Sequence, residues 1–364
     1  MISLAHKYIA RSVLIGVAVA LVIVTSVIVL VDFVEGTRTL GADLQLSNFQ
    51  IVQLTLLKTP SLVEETIPFV VLFGVLGALN NLNKRSELVV LRATGLSAWN
   101  FLAPAVLVTF ILGIIWTTIF NPMAARSLSL YQSKISAADT APAINAQIWL
   151  REVTHSKQML IRAKSYELET RKLNDVTISL SEIDPSGNFI FRTRFDAKTA
   201  DLLPAGYWQL YDVKENTDDV MKGVTHHNTI SIPTEIKLED ITSQAKSDYV
   251  APFWKLPQEI KRTRRAGFTT TRLEMQQQKL FALPLTLMAM TLIAACVSMH
   301  LTREGGTLRL LVTGIAVGFA VYFTNSIFNA FGESSTLPII ISAWTIPIMT
   351  FFLGVSLLSK IEDG

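Results

Sequence analysis

The residue types and spacing most suggestive of chemistry lie in Asn83-Lys84-Arg85-Ser86-Glu87-Leu88-Val89-Val90-Leu91-Arg92-Ala93-Thr94-Gly95. The segment reads as a short helix, capped by Asn83 and stopped by Gly95. Leu88 and Leu91 share one face, with Glu87 and Arg92 at its edges. Two readings stand. One is a loop helix packed on a membrane surface. The other is a coupling helix whose apolar knobs fit a groove in a separate motor protein, where Glu87 meets an Arg or Lys. Bond-making chemistry is missing elsewhere in the sequence. There is no Gly-x-x-x-x-Gly-Lys-Ser/Thr loop to hold ATP. The five histidines have no metal-ligand or triad spacing, and the adjacent His226 and His227 would point to opposite faces of a strand. No catalytic residue, metal site or cofactor is therefore expected of this chain. A net charge of +3, widely dispersed, is no footprint for nucleic acid.

The elements that must position the segment follow from composition. Of the 364 residues, 50% are hydrophobic and 17% charged, with mean hydropathy +0.41; this is a membrane-protein balance. Six stretches hold no Asp, Glu, Lys or Arg: 12–31, 66–83, 93–125, 280–302, 310–332 and 334–359. Each is long enough to cross a hydrocarbon core about 30 Å thick, which takes roughly 20 helical residues. Between Arg126 and Lys279 lie 41 of the 61 formal charges, and no uncharged run there exceeds 12 residues. The expected fold is an α-helical membrane protein with six transmembrane helices, three plus three, around an inserted water-soluble domain. A soluble globular enzyme, a disordered tail and a nucleic-acid binder are excluded.

The expected domains are 1–121 (three spans, with the coupling helix at 83–95), 122–254 (the insertion) and 255–364 (a connecting amphipathic helix and three spans). Within the insertion, 147–153, 158–164, 176–182, 189–195, 207–213 and 228–233 alternate polar and apolar residues between turn residues such as Asp184-Pro185-Ser186-Gly187. This spacing predicts an all-β sandwich or jelly roll. From Lys255 onward, Leu256 and Ile260 with Lys261, Arg262, Arg264 and Arg265 predict an interfacial amphipathic helix ended by Gly267. The first span follows Lys7 and Arg11 like a secretory signal, but its length and the lack of a small-x-small site mark it as a retained helix. The lone cysteine, Cys296, lies in the fourth span and says nothing of redox compartment.

Short-loop Lys and Arg set the orientation. Lys7, Arg11, Lys84, Arg85, Arg92, Arg303, Arg309 and Lys360 lie on the side of the N-terminus; the other side's short loops hold only Arg38 and Lys58. Both termini and the 83–95 loop are thus expected in the cytoplasm, with the insertion outside, in the periplasm of a bacterium. The spans are almost free of ionisable residues, Asp32 at the outer end of the first being the nearest exception. This disfavours an ion-coupled secondary lipid transporter. A membrane-anchored periplasmic scaffold is the other alternative. Gly314 and Gly318 form a small-x-x-x-small pair that lets another helix come close, and Asn325 and Asn329 share a face suited to interhelical hydrogen bonds.

Several segments together resemble the lipopolysaccharide-export permease family LptF/LptG, and its LptG branch most. They are Tyr8-Ile9, Val31-Asp32, Lys84-Arg85-Ser86-Glu87-Leu88-Val89-Val90 with Ala93-Thr94-Gly95, Gln278-Lys279 before Leu283-Pro284-Leu285, and Val312-Thr313-Gly314-Ile315-Ala316-Val317-Gly318-Phe319. The resemblance covers nearly the whole chain. It implies an ABC-type exporter subunit that extracts lipopolysaccharide from the inner membrane and passes it to a periplasmic bridge. Its partners would be an LptF-like second permease, two copies of an LptB-like ATPase that uses ATP and Mg, and LptC-like and LptA-like jelly-roll proteins. It also implies that the insertion is a jelly roll and that Arg85, Glu87, Leu88, Leu91 and Arg92 couple to the ATPase.

Spans one, two and five would line the lipid cavity or its gates, with Asp32, Phe33, Ile67, Phe69, Phe73, Gly314, Gly318, Phe319 and Phe323 as wall or gate residues. The chain departs from the LptG pattern where lysines follow the Val-Asp of span one; Glu35 and Gly36 stand there, and Glu64 and Glu65 add further negative charge. Head-group contacts then fall to Arg38, Lys58, Arg126 and Lys134, to bridging cations, or to an under-phosphorylated lipid.

Overall fold

The computed structural model describes residues 4–43, 46–85, 87, 97–138, 148–154, 157–167, 172–183, 189–203, 206–217, 224–234, 250–265, 269–301 and 307–363. Its helices are α1 (Leu4–Asp43), α2 (Asn48–Lys84), α3 (Ala98–Ile115), a π-helical segment (Trp116–Phe120) continuing into α4 (Asn121–Ala138), α5 (Leu256–Arg265), α6 (Thr271–Leu301), α7 (Thr307–Glu333) and α8 (Ile339–Asp363). Six spans are long and apolar enough to cross a membrane: α1, α2, α3 through α4, α6, α7 and α8. They are the six that the uncharged runs predict. The chain divides into two compact units, one of 1–134, 251–257 and 271–364, the other of 135–250 and 258–270.

In the helical unit, α1 has 40 residues and α2 has 37. At 1.5 Å per residue these are helices of about 55–60 Å, nearly twice a hydrocarbon core, so both continue into water. The entry to α2 is fixed by a capping box. Ser47 Oγ accepts from the Gln50 backbone N–H, and Gln50 Oε1 accepts from that of Ser47, satisfying two donors that the helix start would leave unpaired.

The spans are unequally buried. In their most apolar windows α2 and α6 are 56% and 61% buried, whereas α1 and α7 are 17% and 11% buried. The first pair forms the centre and the second the periphery. Lipid tails are as apolar as leucine, so close van der Waals approach holds such helices together. Small residues supply it. A Cβ on Gly113 of α3 would stand 2.5 Å from Pro284 Cα of α6, and one on Gly16 of α1 would stand 2.4 Å from the Gly74 carbonyl oxygen of α2. Beside the first contact, Thr291 Oγ1 donates to Thr109 Oγ1 at 2.9 Å, wholly buried.

The second unit is built on strands β1 (Ile148–Thr154), β2 (Lys157–Glu167), β3 (Lys172–Ile183), β4 (Phe189–Leu203), β5 (Tyr207–Thr217) and β6 (Thr225–Pro233). All six expected strands are present, several of them longer than their alternating cores. They pair antiparallel in sequence order, so the described strands form one continuous meander. Period-two alternation puts Leu150, Ile161, Ile178 and Phe195 in register across four strands, and all are buried in one cluster with Trp208, Leu210 and Ile232. The sheet curls until its ends meet: Thr234 Oγ1, just past β6, donates to Glu152 Oε2 of β1 at 2.6 Å. His226 and His227 sit opposite Lys214 and Val213 on β5, and the His227 ring reaches Glu215 on the sheet surface. In α5, Leu256 and Ile260 are buried while Lys261 and Arg264 are exposed, the amphipathic pattern read from the sequence.

Replacing Gly113 with Leu must part α3 from α6, because the obstructing atom is backbone. The expected cost is about 1–3 kcal/mol, read as a lower melting temperature in detergent. A variant that melts with the wild type would show that the contact is absent.

Candidate functional site

The segment from Asn83 to Gly95 begins where α2 stops. Arg85, the C-cap, is exposed, and its backbone N–H donates to the Asn81 carbonyl at 3.3 Å. Glu87 is described and half-buried; Leu88, Leu91 and Arg92 lie outside the described residues. Three helices hold the ends of this loop. From α1, Tyr8 stands beside the Glu87 carboxylate and the Arg85 guanidinium. At the start of α3, Ser97 caps the helix by accepting from Asn100, and the His6 ring of α1 meets the Asn100 carbonyl at 3.0 Å. From α8, Glu362 Oε2 accepts the Ala98 N–H at 2.8 Å, a carboxylate at the positive end of a helix dipole. Glu87 Oε2 is buried without a hydrogen bond among the described residues. An oxygen so placed favours an incoming donor.

The proposed wall and gate residues divide. Phe69 packs on Phe73 and, at 5.0 Å between ring centres, on Tyr322 of α7. Phe319 and Phe323 stack on each other, 59% and 55% exposed. Gly314 and Gly318 lie against Leu76 and Leu72 of α2, so the helix they admit is in the same chain. Phe33 is half-buried. Ile67 is fully buried in the helix core and lines no open surface; its i, i+3, i+4 neighbours Val70 and Val71 are buried with it, which places it on the inward stripe of α2.

The candidate head-group contacts divide as well. Lys58 Nζ bonds Asp32 Oδ1 at 2.7 Å, joining the outer parts of α1 and α2; sequence reading gave these two residues separate roles. Arg38, Arg126 and Lys134 are exposed, as are Glu35 and Glu65. Glu64 instead turns inward. Asn121 Nδ2 donates to Glu64 Oε1 at 2.7 Å, while Asn121 Oδ1 accepts from the Phe253 N–H at 2.8 Å. The π-helical segment stands next to Asn121, and its irregular turn presents the Thr118 carbonyl to Trp254 Nε1 at 3.0 Å and the Thr117 hydroxyl to the Leu280 carbonyl at 3.1 Å. Sequence reasoning missed this cluster, although an Asn-Pro pair at the end of a long uncharged run was its visible sign. Asn325 Oδ1 and Asn329 Oδ1 are buried with no hydrogen-bond partner among the described residues.

Among the described residues no group of His, Cys, Asp or Glu is arranged to hold a metal ion. The grouped residues are one half-buried carboxylate, exposed cations and apolar helix faces. The chain is 24% identical, over the full length of both chains, to the lipopolysaccharide export system permease protein LptG of Haemophilus influenzae (strain ATCC 51907 / DSM 11121 / KW20 / Rd). The family described as lipopolysaccharide export system permease LptF/LptG matches residues 7–360, taking in all six spans, the Glu87 loop and the inserted sheet, and the chain belongs to that family.

Proposed function

We propose that this chain is one of two transmembrane permease subunits of an ATP-driven lipopolysaccharide exporter. It extracts lipopolysaccharide from the outer leaflet of the inner membrane and hands it to a periplasmic bridge. The full-length family match carries the reading. In it the termini and the Glu87 loop are cytoplasmic and the sheet is periplasmic, as the Lys and Arg bias requires. The chain makes and breaks no bonds and holds no cofactor; ATP and Mg are used by two copies of an LptB-like ATPase.

The physics demands such a division of labour. Each methylene drawn from bilayer to water costs about 0.8 kcal/mol, so emptying a cavity filled with several acyl chains needs an external motor. The little-buried faces of α1 and α7 support pairing with an LptF-like subunit around a shared cavity, with the exposed Phe319 and Phe323 on its wall. The Arg85 to Arg92 segment docks into the ATPase, and Tyr8 beside Glu87 carries its movement to α1. Among the described residues β1 and β6 end the sheet, and strand addition there would join LptC-like and LptA-like jelly rolls.

Glu87→Ala is expected to leave the protein in the membrane but to weaken ATPase binding by about tenfold, the worth of one charge-assisted hydrogen bond. Quantitative co-purification of the ATPase and the second permease reads this; undiminished ATPase recovery would remove Glu87 from the docking surface.

With Lys58 held by Asp32, the exposed Arg38 becomes a cation offered to lipid phosphates, together with the exposed Arg126 and Lys134 of α4. Reversing Arg126 and Lys134 to Glu is expected to slow crosslinking of lipopolysaccharide to the complex several-fold, with ATPase binding unchanged. Crosslinking at the wild-type rate would exclude them as head-group contacts.

A further inference from the structure

At the N-terminal end of α1, helices α1 and α2 leave an open groove of about 670 Å³. It opens beside a backbone contact between the two helices. Gly16 and Gly74 touch through their backbones, whereas a Cβ on Gly77, one turn further along α2, would meet nothing within 4 Å. The groove changes character along its length. Toward mid-helix its walls are apolar, with Ile15, Ile23 and Phe73; at the helix ends they carry Arg11, Ser12 and Arg85. From Arg11 to Val24 the groove runs about 20 Å along α1, enough for one leaflet's share of the roughly 30 Å hydrocarbon core.

Charge at the polar end is specific. Arg85 and Glu87, of opposite charge, both lie near Tyr8 at this end. Arg11 is exposed and makes no hydrogen bond or ion pair among the described residues. The Ser12 hydroxyl and the Asn81 amide beside it likewise have no side-chain partner among them. One uncompensated cation with neutral hydrogen-bonding groups, heading an apolar channel one leaflet deep, matches a phosphodiester with an acyl chain. A helix of another subunit lying here would bury the Arg11 charge without a partner, at large cost. A head group at the membrane surface pairs it while it stays hydrated.

We propose that this groove binds one anionic glycerophospholipid of the adjacent leaflet, with its phosphodiester on Arg11 and Ser12 and an acyl chain over Gly77 along Ile15, Ile23 and Phe73. That this leaflet is the cytoplasmic one rests on the orientation argued under Proposed function; the binding chemistry does not. The site lies at the opposite end of α1 from Asp32 and so is distinct from the place where an outer-leaflet lipid would enter. Its occupant sits between α1 and α2 next to Tyr8, so filling it fixes the spacing of the two helices where the Glu87 loop is held.

The test is native mass spectrometry of the delipidated complex, purified with whatever partners accompany it. The complex is titrated with phosphatidylglycerol, with phosphatidylethanolamine and with inorganic phosphate. Wild type is expected to bind one phosphatidylglycerol about tenfold more tightly than phosphatidylethanolamine, without competition from phosphate. Arg11→Gln should abolish that preference while lipid still binds. Gly77→Leu fills open space, leaves the helix contacts intact and should exclude both lipids. Equal binding of the two lipids by wild type, full competition by phosphate, or unchanged lipid binding by Gly77→Leu would each overturn the site. ATPase recovery is scored in the same samples. Loss of the lipid preference with the ATPase present overturns the site alone; an intact preference without any ATPase supports the site and counts against the exporter reading.

Discussion

Inside hydrocarbon, a backbone or side-chain polar group without a partner costs several kcal/mol, and the helical unit is arranged around that constraint. Among the described residues regular helix satisfies most of the backbone, and the third span loosens into a π turn at Trp116–Phe120. There Trp254 takes the Thr118 carbonyl and Thr117 reaches the Leu280 carbonyl. Asn121 connects Glu64 to the Phe253 amide. The irregularity thus ties α2, α3, α6 and the segment that re-enters this unit after the strands into one hydrogen-bonded joint. The Asp32–Lys58 pair applies the same rule to charge, since each of the two residues would be expensive at that depth alone.

Close approach does the rest of the work, and it determines which helices are free to move. Helices α3 and α6 meet through Gly113 and Pro284, and α2 and α6 have the most buried windows. A centre packed on backbone contacts yields little. Helix α1 touches α2 closely at Gly16 and then leaves space beyond it at Gly77. Further along, α1 meets α2 again, with Gly36 and Gly41 against Ile51 and Asp32 paired with Lys58. The apolar surface left bare on α1 and α7 is the surface that lipid or a second subunit must cover.

The sequence revealed the architecture because its signals were of the kind that sequence carries well. Uncharged runs long enough to span a bilayer returned the six spans, and period-two alternation returned the six strands. Side-chain partnerships were less legible. Asp32 and Lys58 lie 26 positions apart, and nothing in either local pattern announces the other. Glu64 beside Glu65 read as a pair of rim acids, yet one turns inward to Asn121 and the other stays exposed; one step of 100° around a helix separates the two environments. Ile67 looked like a wall residue because apolar side chains in a span are alike in sequence whether they face a cavity or a core. The Gly314 and Gly318 pair was correctly read as a place of close approach, but only the structure names α2 as the helix that approaches.

A motor that pulls on one loop must move something stiff, and proline content shows which spans are stiff. Helices α2, α3, α6 and α8 each contain proline, which removes a backbone hydrogen bond and permits a bend. Helices α1 and α7 contain none. These are also the two spans with the least buried surface, so the least restrained helices are the ones least able to absorb a displacement by bending. Tyr8 and Asp32 lie about 36 Å apart along this unbroken helix. In the proposed coupling, a shift of Glu87 that Tyr8 follows would be carried along α1 toward the Asp32–Lys58 pair, on the side where an outer-leaflet lipid would lie.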